Sequence, residues 1–195
     1  MGFLFRPKEL PHPASLTFTL DQAGHTYDDG HVGLAPTDIT ISELRVAVIG
    51  LNGAGKSTLL GLLDGSLKAN AGTVTIAGGE ERLDPAVKKD AKRIDNLVGK
   101  VRREEIPNSF YQAANISEAV SEALKKHKVP ESERHARIGN LFAHFDLAQV
   151  SKAKASELDS EKRHLLAIAA ALSFEPSAIV ADEPSKGLDE IGAAH

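Results

Sequence analysis

Gly50-Leu51-Asn52-Gly53-Ala54-Gly55-Lys56-Ser57-Thr58 satisfies every specified position of the pattern G-x-x-x-x-G-K-[ST], in which a glycine-rich loop cradles phosphate groups. The β-branched run at residues 45–49 predicts a strand buried on both faces before the loop, and Lys56–Leu63 predicts a helix after it. Small loop residues let backbone N–H groups turn inward around phosphate oxygens, and a helix N-terminus adds partial positive charge. The alternative interpretation is a glycine-rich turn before an ordinary helix. The predicted strand and helix on the two sides of the loop favour the phosphate site over this alternative.

Two side chains of this loop have chemical roles beyond shaping the backbone. Lys56 can bridge the β- and γ-phosphates of a nucleotide, and the Ser57 hydroxyl can coordinate Mg²⁺. The segment therefore predicts a site for ATP with Mg²⁺. The other predicted nucleotide-binding residues of the loop are Asn52, Gly53, Ala54, Gly55 and Thr58.

A second apolar segment ends in two carboxylates. Ser177–Ala181 predicts a buried strand, and Asp182 and Glu183 follow it directly. Asp182 would hold Mg²⁺, directly or through water, and Glu183 would polarise the attacking water as general base. A strand that ends in Asp-Glu is commonly just a solvated strand end, but its pairing with a phosphate loop favours the active-site interpretation.

The composition narrows the functional class. The chain of 195 residues carries 23 Lys and Arg against 27 Asp and Glu, a net charge of -4, which argues against a dedicated nucleic-acid binder. It has no cysteine, so disulfide scaffolds, thiol catalysis and cysteine-based zinc sites are excluded. The longest apolar run, Leu165–Phe174, is far shorter than the roughly 20 residues of a membrane span. We therefore expect a soluble intracellular protein.

The remaining hydrophobic pattern predicts strands on both sides of a helical block. Strands are expected over Ala14–Leu20, around Ile39–Ile41 and over Gly72–Ala77, with a turn at Tyr27–Gly30. Residues 82–105 alternate in charge and hold little apolar mass.

Three helices are predicted beyond that charged segment. Ile116–Lys128 is preceded by Asn115, which is spaced from Glu118 as in a capping box. A second helix carries Ile138, Leu141, Phe142 and Phe145 on one face, and a third runs over about 160–174. The helical block at about 104–158 has the character of an insertion between two strand-bearing halves of one core.

These motifs together resemble the ATP-binding cassette (ABC) ATPases. Gly50–Thr58 resembles their Walker A motif, and Asp182-Glu183-Pro184-Ser185-Lys186-Gly187-Leu188-Asp189 resembles their Walker B motif and D-loop, with Asp189 as the D-loop aspartate. Tyr27 lies 23 positions before Gly50, where the family has an aromatic residue that stacks on adenine. The alternative for Tyr27 is an ordinary turn tyrosine.

The resemblance implies an α/β fold, namely a P-loop NTPase (RecA-like) core with N-terminal antiparallel strands and an inserted helical subdomain. Residues 1–195 would form a single nucleotide-binding domain, with 14–103 and 159–195 as the core and about 104–158 as the helical subdomain. The amino-acid sequence of the phosphate loop is most similar to that of energy-coupling-factor importers of the biotin or cobalt type.

Function, partners and location follow from the same resemblance. The chain would bind and hydrolyse ATP with Mg²⁺, and it would pair with a second ABC subunit as a homo- or heterodimer. A transmembrane coupling subunit would hold it on the inner face of the cell membrane, and nucleic acid would not be a partner. The rival is a degenerate or truncated cassette that binds ATP, hydrolyses little and acts as a regulatory partner.

The family signature, Leu-Ser-Gly-Gly-Gln, is altered. Its place is taken by Leu158, Asp159, Ser160, Glu161 and Lys162. In the family this segment reaches across a head-to-tail dimer to the partner's γ-phosphate. A carboxylate about 4 Å from a phosphate charge costs about 4 kcal/mol at an effective dielectric constant near 20. The change therefore predicts weakened binding across the dimer, unless the variant motif still works or Ser156 and Asp159 serve only to cap the helix.

Two other family features differ. The glutamine expected after the strand at Val98–Arg102 is replaced by Arg103, with Gln112 displaced. The family's switch histidine follows Walker B by about thirty residues, and His195 is only thirteen positions after Asp182. We therefore expect the C-terminal part of the family fold, including a strand, to be missing.

Overall fold

The computed structural model describes residues 15–102 and 106–184, and the statements below concern those residues. They form an α/β fold in which strands precede and follow a helical block. The strands are β1 (Thr17–Thr26), β2 (Val32–Ile41), β3 (Ala71–Gly78), β4 (Glu81–Leu83), β5 (Val98–Val101) and β6 (Ala178–Ala181). The helices are α1 (Lys56–Leu63), α2 (Lys88–Leu97), α3 (Asn108–Gln112), α4 (Ile116–Lys126), α5 (Glu131–His144) and α6 (Ser160–Leu172).

The first four strands form an antiparallel sheet in the order β2-β1-β3-β4. Phe18 of β1 pairs with Ile41 on one side and Ile76 on the other. Phe18 and Leu20 are buried while the residues between and beside them are more exposed, the alternation from which the sequence predicts a strand here. The expected turn at Tyr27–Gly30 is confirmed by a 2.9 Å hydrogen bond from Gly30 N to Tyr27 O.

The last two strands form a separate parallel pair. Val98 of β5 pairs with Ala178 of β6, and the register continues to Val101 and Ala181. The pair continues past β6, because Asp182 N donates a 3.0 Å hydrogen bond to Val101 O. This bond fixes the residue at which β6 ends, so the carboxylates that follow the strand start from a defined position.

The buried side chains form two clusters. One lies between the antiparallel sheet, α1, α2 and the parallel pair, with Leu20, Leu62, Ile76 and Ile94 at its centre. The other joins α3, α4, α5 and α6 through side chains that include Ile116, Val120, Leu124, Phe142 and Leu166. The predicted helices over this block are confirmed with ends shifted by a few residues.

The predicted start of α4 is confirmed in part. Asn115 Oδ1 accepts a 3.0 Å hydrogen bond from Glu118 N, which makes Asn115 the N-cap. In a capping box the glutamate side chain also accepts a hydrogen bond from the backbone N–H of the N-cap residue. Here Glu118 Oε2 accepts from Ala114 N at 3.1 Å instead.

The predicted buried strand at residues 45–49 is wrong for this structure. These residues form neither a helix nor a strand, and Val46 and Ile49 are 51% and 91% exposed. In the described part of the chain β6 pairs only with β5, and a cavity separates its other side from residues 44–48. A β-branched run becomes a strand only where a neighbouring strand takes up its hydrogen bonds.

One helix was not anticipated. The helix α2 lies within the charged stretch of low apolar content and buries only Ile94 and Leu97, whereas the short α3 lies inside the helical block expected at about 104–158. None of the helices in residues 15–102 and 106–184 is both long and apolar enough to cross a bilayer.

Candidate nucleotide site

The phosphate loop has the backbone conformation that its glycines predict. Gly53 and Gly55 have φ angles of 81° and 84°, in the left-handed region that side-chain-bearing residues rarely adopt. A Cβ at Gly55 would lie 2.5 Å from the carbonyl oxygen of Gly33, so this position also has no room for a side chain. The loop leads directly into α1, whose N-cap Gly55 offers no side-chain acceptor to the first helical amides. Those amides are therefore available to an anion.

Lys56 lies against the loop that it follows. Its Nζ donates hydrogen bonds to Gly50 O at 2.9 Å and to Leu51 O at 2.8 Å. The ammonium group is thus held at the start of the loop and not extended into solvent. Ser57, the next residue, is exposed on the first turn of α1.

Tyr27 is brought to the phosphate loop from the end of β1. Its hydroxyl lies 3.0 Å from the Thr58 hydroxyl, and either group can donate the hydrogen bond. Any side chain at Gly33 would collide with the Tyr27 ring and with Thr58, so a glycine permits this contact. The ring is 37% exposed and has His25 edge-on at 4.7 Å and His31 nearly parallel at 6.2 Å. An aromatic surface therefore lies beside α1, and the predicted stacking of Tyr27 on adenine stays a prediction.

The carboxylates after β6 reach the same place as Lys56. A cavity of about 560 Å³ lies between residues 41–48 and residues 177–184, and its lining includes Lys56, Asp182 and Glu183. Lys56 stands 126 positions before Asp182 in the sequence, so the fold brings them together. Lysine and carboxylate side chains are the groups that phosphoryl transfer requires.

The donor set fits Mg²⁺. The cation prefers hard oxygen ligands and is usually held by one or two protein carboxylates or hydroxyls together with nucleotide phosphates. Asp182 lines the same cavity as Lys56, and Ser57 is the residue after Lys56 on α1, so these are the carboxylate and the hydroxyl that would hold the cation.

The altered signature segment forms the start of α6. Asp159 is the N-cap, and its Oδ1 accepts a 2.7 Å hydrogen bond from Lys162 N. This backbone hydrogen bond, the largest cause, lowers the pKa of the Asp159 carboxyl, and the Lys162 ammonium 3.3 Å away lowers it further. Asp159 therefore caps α6 by itself, so the alternative of a cap formed by Ser156 with Asp159 is confirmed for Asp159 only. Leu158 is buried, and Ser160 is exposed beside the charged Asp159.

Arg102, directly after β5, forms an internal ion pair. Its guanidinium contacts the carboxylate of Asp64, which is completely buried after α1, and it also donates to Ser66 Oγ. Nearby, Arg93 pairs with Glu81 at 2.8 Å and Lys100 with Asp95 at 2.7 Å. Arg103, Asp189 and His195 lie outside the described residues, so the predictions for them stay predictions.

Sequence reasoning missed one buried polar residue beside the loop that carries Asp182 and Glu183. His164 of α6 is 1% exposed, and its Nε2 contacts the carbonyl oxygen of Pro184. The available signal was a titratable side chain directly before the apolar run of α6, at Leu165. The sequence pattern alone does not say which backbone group such a side chain would meet.

Known proteins match this chain across both motifs. A family model described as ABC transporter matches residues 37–186. An ABC transporter ATP-binding protein of Deinococcus radiodurans is 34% identical over 170 residues, which cover 87% of this chain and 71% of that protein. One from Streptomyces coelicolor is 30% identical over 187 residues, which cover 95% of this chain and 64% of that protein.

Solved structures share the fold. CbiO1 of Clostridium perfringens, part of the ABC transporter complex CbiONQ, has a TM-score of 0.71 at 27% identity and covers 91% of this chain and 69% of its own. A dimeric ATP-binding cassette in a post-hydrolysis state, bound to ADP and Pi, has a TM-score of 0.76 at 23% identity and covers 91% and 78%. The predicted P-loop NTPase fold, with antiparallel N-terminal strands and helices, is confirmed.

Proposed function

We infer that this chain, which belongs to the ABC transporter family of ATP-binding proteins, binds ATP with Mg²⁺ at Gly50–Thr58 and hydrolyses it with Glu183 as general base. The observation that carries this function is the shared cavity of Lys56, Asp182 and Glu183. Membership of this family indicates the class of reaction, which is ATP hydrolysis. The lining of the cavity includes the residues proposed to carry it out.

Each residue has a role that its position supports. The loop amides and Lys56 stabilise the negative charge that spreads over the transferred phosphoryl group. Ser57 and Asp182 would hold Mg²⁺, which would neutralise phosphate charge when bound. Glu183 accepts a proton from the water whose oxygen attacks the γ-phosphorus, as the bond from that phosphorus to the bridging oxygen of ADP breaks. Tyr27 stacks on the adenine, and Asn52, Gly53, Ala54 and Thr58 complete the contacts to the nucleotide.

We propose further that the chain works with a second ABC subunit and a transmembrane coupling subunit at the inner face of the cell membrane. Residues 1–195 act in this proposal as one nucleotide-binding domain, with 104–158 as its helical subdomain and Leu158–Glu161 as the segment that meets the partner's nucleotide. The likeness to CbiO1, a component of a multi-subunit transporter, supports this arrangement. The corresponding transport function is import of a vitamin or metal cofactor by a transporter of the energy-coupling-factor type.

A groove suits the transmembrane partner. About 900 Å³ of space lies between α2, β5, α3, α4 and α6, with Phe110 and Phe174 on its floor and Tyr111 46% exposed at its edge. Lys92 and Lys126 contribute positive charge to its lining, where Lys100 is paired with Asp95. An apolar segment with acidic flanks, presented by a membrane subunit, would match both features.

One observation favours the rival function, an ATP-binding partner with little hydrolysis. Asp159 is ionised at the N-terminus of α6, where the family has the serine that binds the partner's γ-phosphate. Its charge opposes phosphate binding across a dimer.

Steady-state hydrolysis and ATP affinity of the wild type and of Glu183→Gln separate the two functions. We expect equal ATP affinities and a rate that falls about a hundredfold or more in Glu183→Gln, because the general base is lost. Tight binding with the same background rate in both proteins would reject the hydrolytic function and leave the binding function.

A further inference from the structure

Glu183 stands in a backbone conformation that its residue type does not favour. Its φ angle is +49°, in the left-handed region where a Cβ crowds the following carbonyl group. A residue other than glycine keeps such a conformation only when its surroundings hold the chain on both sides. The contacts of its two neighbours therefore hold the backbone from which the Glu183 side chain extends.

Both neighbours are anchored to other elements. Before Glu183, Asp182 N donates its 3.0 Å hydrogen bond to Val101 O at the end of β5. After Glu183, the carbonyl oxygen of Pro184 is contacted by Nε2 of His164, which lies on α6. The first anchor is a backbone bond that any residue can make, but the second depends on one side chain.

The surroundings of the His164 ring favour one tautomer of the neutral imidazole. The ring is 1% exposed, and its Nδ1 is buried without a hydrogen-bond partner in the described part of the chain. A neutral imidazole with its proton on Nε2 donates to Pro184 O and leaves only an unshared acceptor buried at Nδ1. The other tautomer would bury an unpaired N–H and turn a lone pair toward the carbonyl oxygen, so the geometry requires the Nε2–H form.

We propose that His164 is a positioning residue for hydrolysis, which holds the carbonyl group of Pro184 so that the Glu183 carboxylate faces the cavity it shares with Lys56. The inference rests on the proposed role of Glu183 as general base. His164 does not line that cavity, so it acts on the rate through the backbone of the loop after β6 and leaves the phosphate loop unaffected.

Two amide substitutions provide a matched test. Glutamine places its side-chain NH₂ close to the position of Nε2, whereas asparagine is one methylene shorter and stops near the position of Nδ1. Because misplacement of a catalytic group by about 1 Å costs up to about a hundredfold in rate, we expect His164→Asn to lower kcat about tenfold or more and His164→Gln to stay within about threefold of wild type. ATP affinity should change less than about twofold in both variants.

Equal losses of kcat in both variants, or no loss in His164→Asn, would overturn the inference while leaving the general base in place. A wild-type rate no higher than that of Glu183→Gln would instead reject the proposed function, and the positioning role with it.

A second measurement covers the case in which His164→Asn does not fold. Correlation of ring nitrogens and protons by NMR reports the tautomer of each histidine in the wild type, and the signal lost in His164→Gln identifies His164. We expect a protonated Nε2 and an unprotonated Nδ1. A proton on Nδ1 would contradict the contact that the inference requires, whatever the hydrolysis rate.

Discussion

The hydroxyl groups of Tyr27 and Thr58 lie 3.0 Å apart, which ties the aromatic residue after β1 to the first turns of the helix that begins at the phosphate loop. Residues 31 positions apart thereby form one surface beside the loop. The contact connects the antiparallel sheet to the helix that follows the loop.

Tyr27→Leu should weaken ATP binding by about tenfold or more, since a stacked base contributes about 1–3 kcal/mol. Tyr27→Phe keeps the ring and loses only the hydroxyl contact, so its affinity should remain close to that of wild type. Isothermal titration calorimetry with ATP measures both.

The control for this comparison is inorganic triphosphate, which has no base to stack. Its affinity should be the same for the wild type and both Tyr27 variants. If Tyr27→Leu binds ATP as tightly as wild type, Tyr27 is an ordinary turn residue and not the adenine platform.

Removal of the negative charge at the start of α6 should strengthen association driven by ATP. In a Glu183→Gln background, Asp159→Ser and Asp159→Asn both keep a good N-cap and remove the charge. We expect both to dimerise about tenfold more tightly at saturating MgATP, measured by light scattering. Unchanged association in both variants would show that the Asp159 charge does not oppose the dimer.

The pH dependence of that association has a defined sign. The pKa of Asp159 is lowered from 3.8, so the carboxylate and the helix cap that it supports persist above about pH 4 and are lost only as the pH falls through the still lower folded-state value. Adjustment from pH 8 to pH 5 should therefore not reproduce the effect of Asp159→Asn. A recovery of association at pH 5 that matches Asp159→Asn would contradict this assignment.

The ion pair between Arg102 and Asp64 should contribute strongly to stability. Arg102→Met leaves the completely buried Asp64 carboxylate without its counter-ion, which should lower the free energy of unfolding by about 3 kcal/mol. Lys100→Met, on the same strand, breaks a pair with the 60% exposed Asp95 and should cost less than about 1 kcal/mol. Urea denaturation measures both, and equal costs would contradict the buried role of the Arg102 pair.

The glycine-rich loop and the strand that ends before Asp182 and Glu183 can be recognised in the sequence because both are local signals. One signal is the set of glycines at positions where the backbone requires them, and the other is the apolar run that ends in Asp182 and Glu183. Both can be recognised without knowledge of the fold. The apolar periodicity of α4, α5 and α6 is equally local, which is why these helices are predicted to within a few residues.

Other features depend on partners that are distant in the sequence. The run at residues 45–49 has the composition of a strand, but no strand in the described residues takes up its hydrogen bonds. The helix α2 has too few apolar residues to be recognised by its period. The contact of His164 with Pro184 exists only after α6 packs against β5, the partner strand of β6. These features follow from tertiary structure and not from residue pattern.

The central claim is that the phosphate loop and the end of β6, which lie far apart in the sequence, form a single site for ATP with Mg²⁺. The most direct measurement is ATP affinity with Mg²⁺ and with EDTA, by calorimetry, for the wild type, Asp182→Asn and Lys56→Ala. Exposed Lys89→Ala on α2 is the control for loss of a lysine and should match wild type.

We expect Mg²⁺ to tighten ATP binding to the wild type by about tenfold or more and to have almost no effect on Asp182→Asn, which should bind ATP in EDTA as the wild type does. Lys56→Ala should bind ATP weakly in both conditions. Full Mg²⁺ dependence in Asp182→Asn would contradict the account, because the end of β6 would then lie outside the nucleotide site.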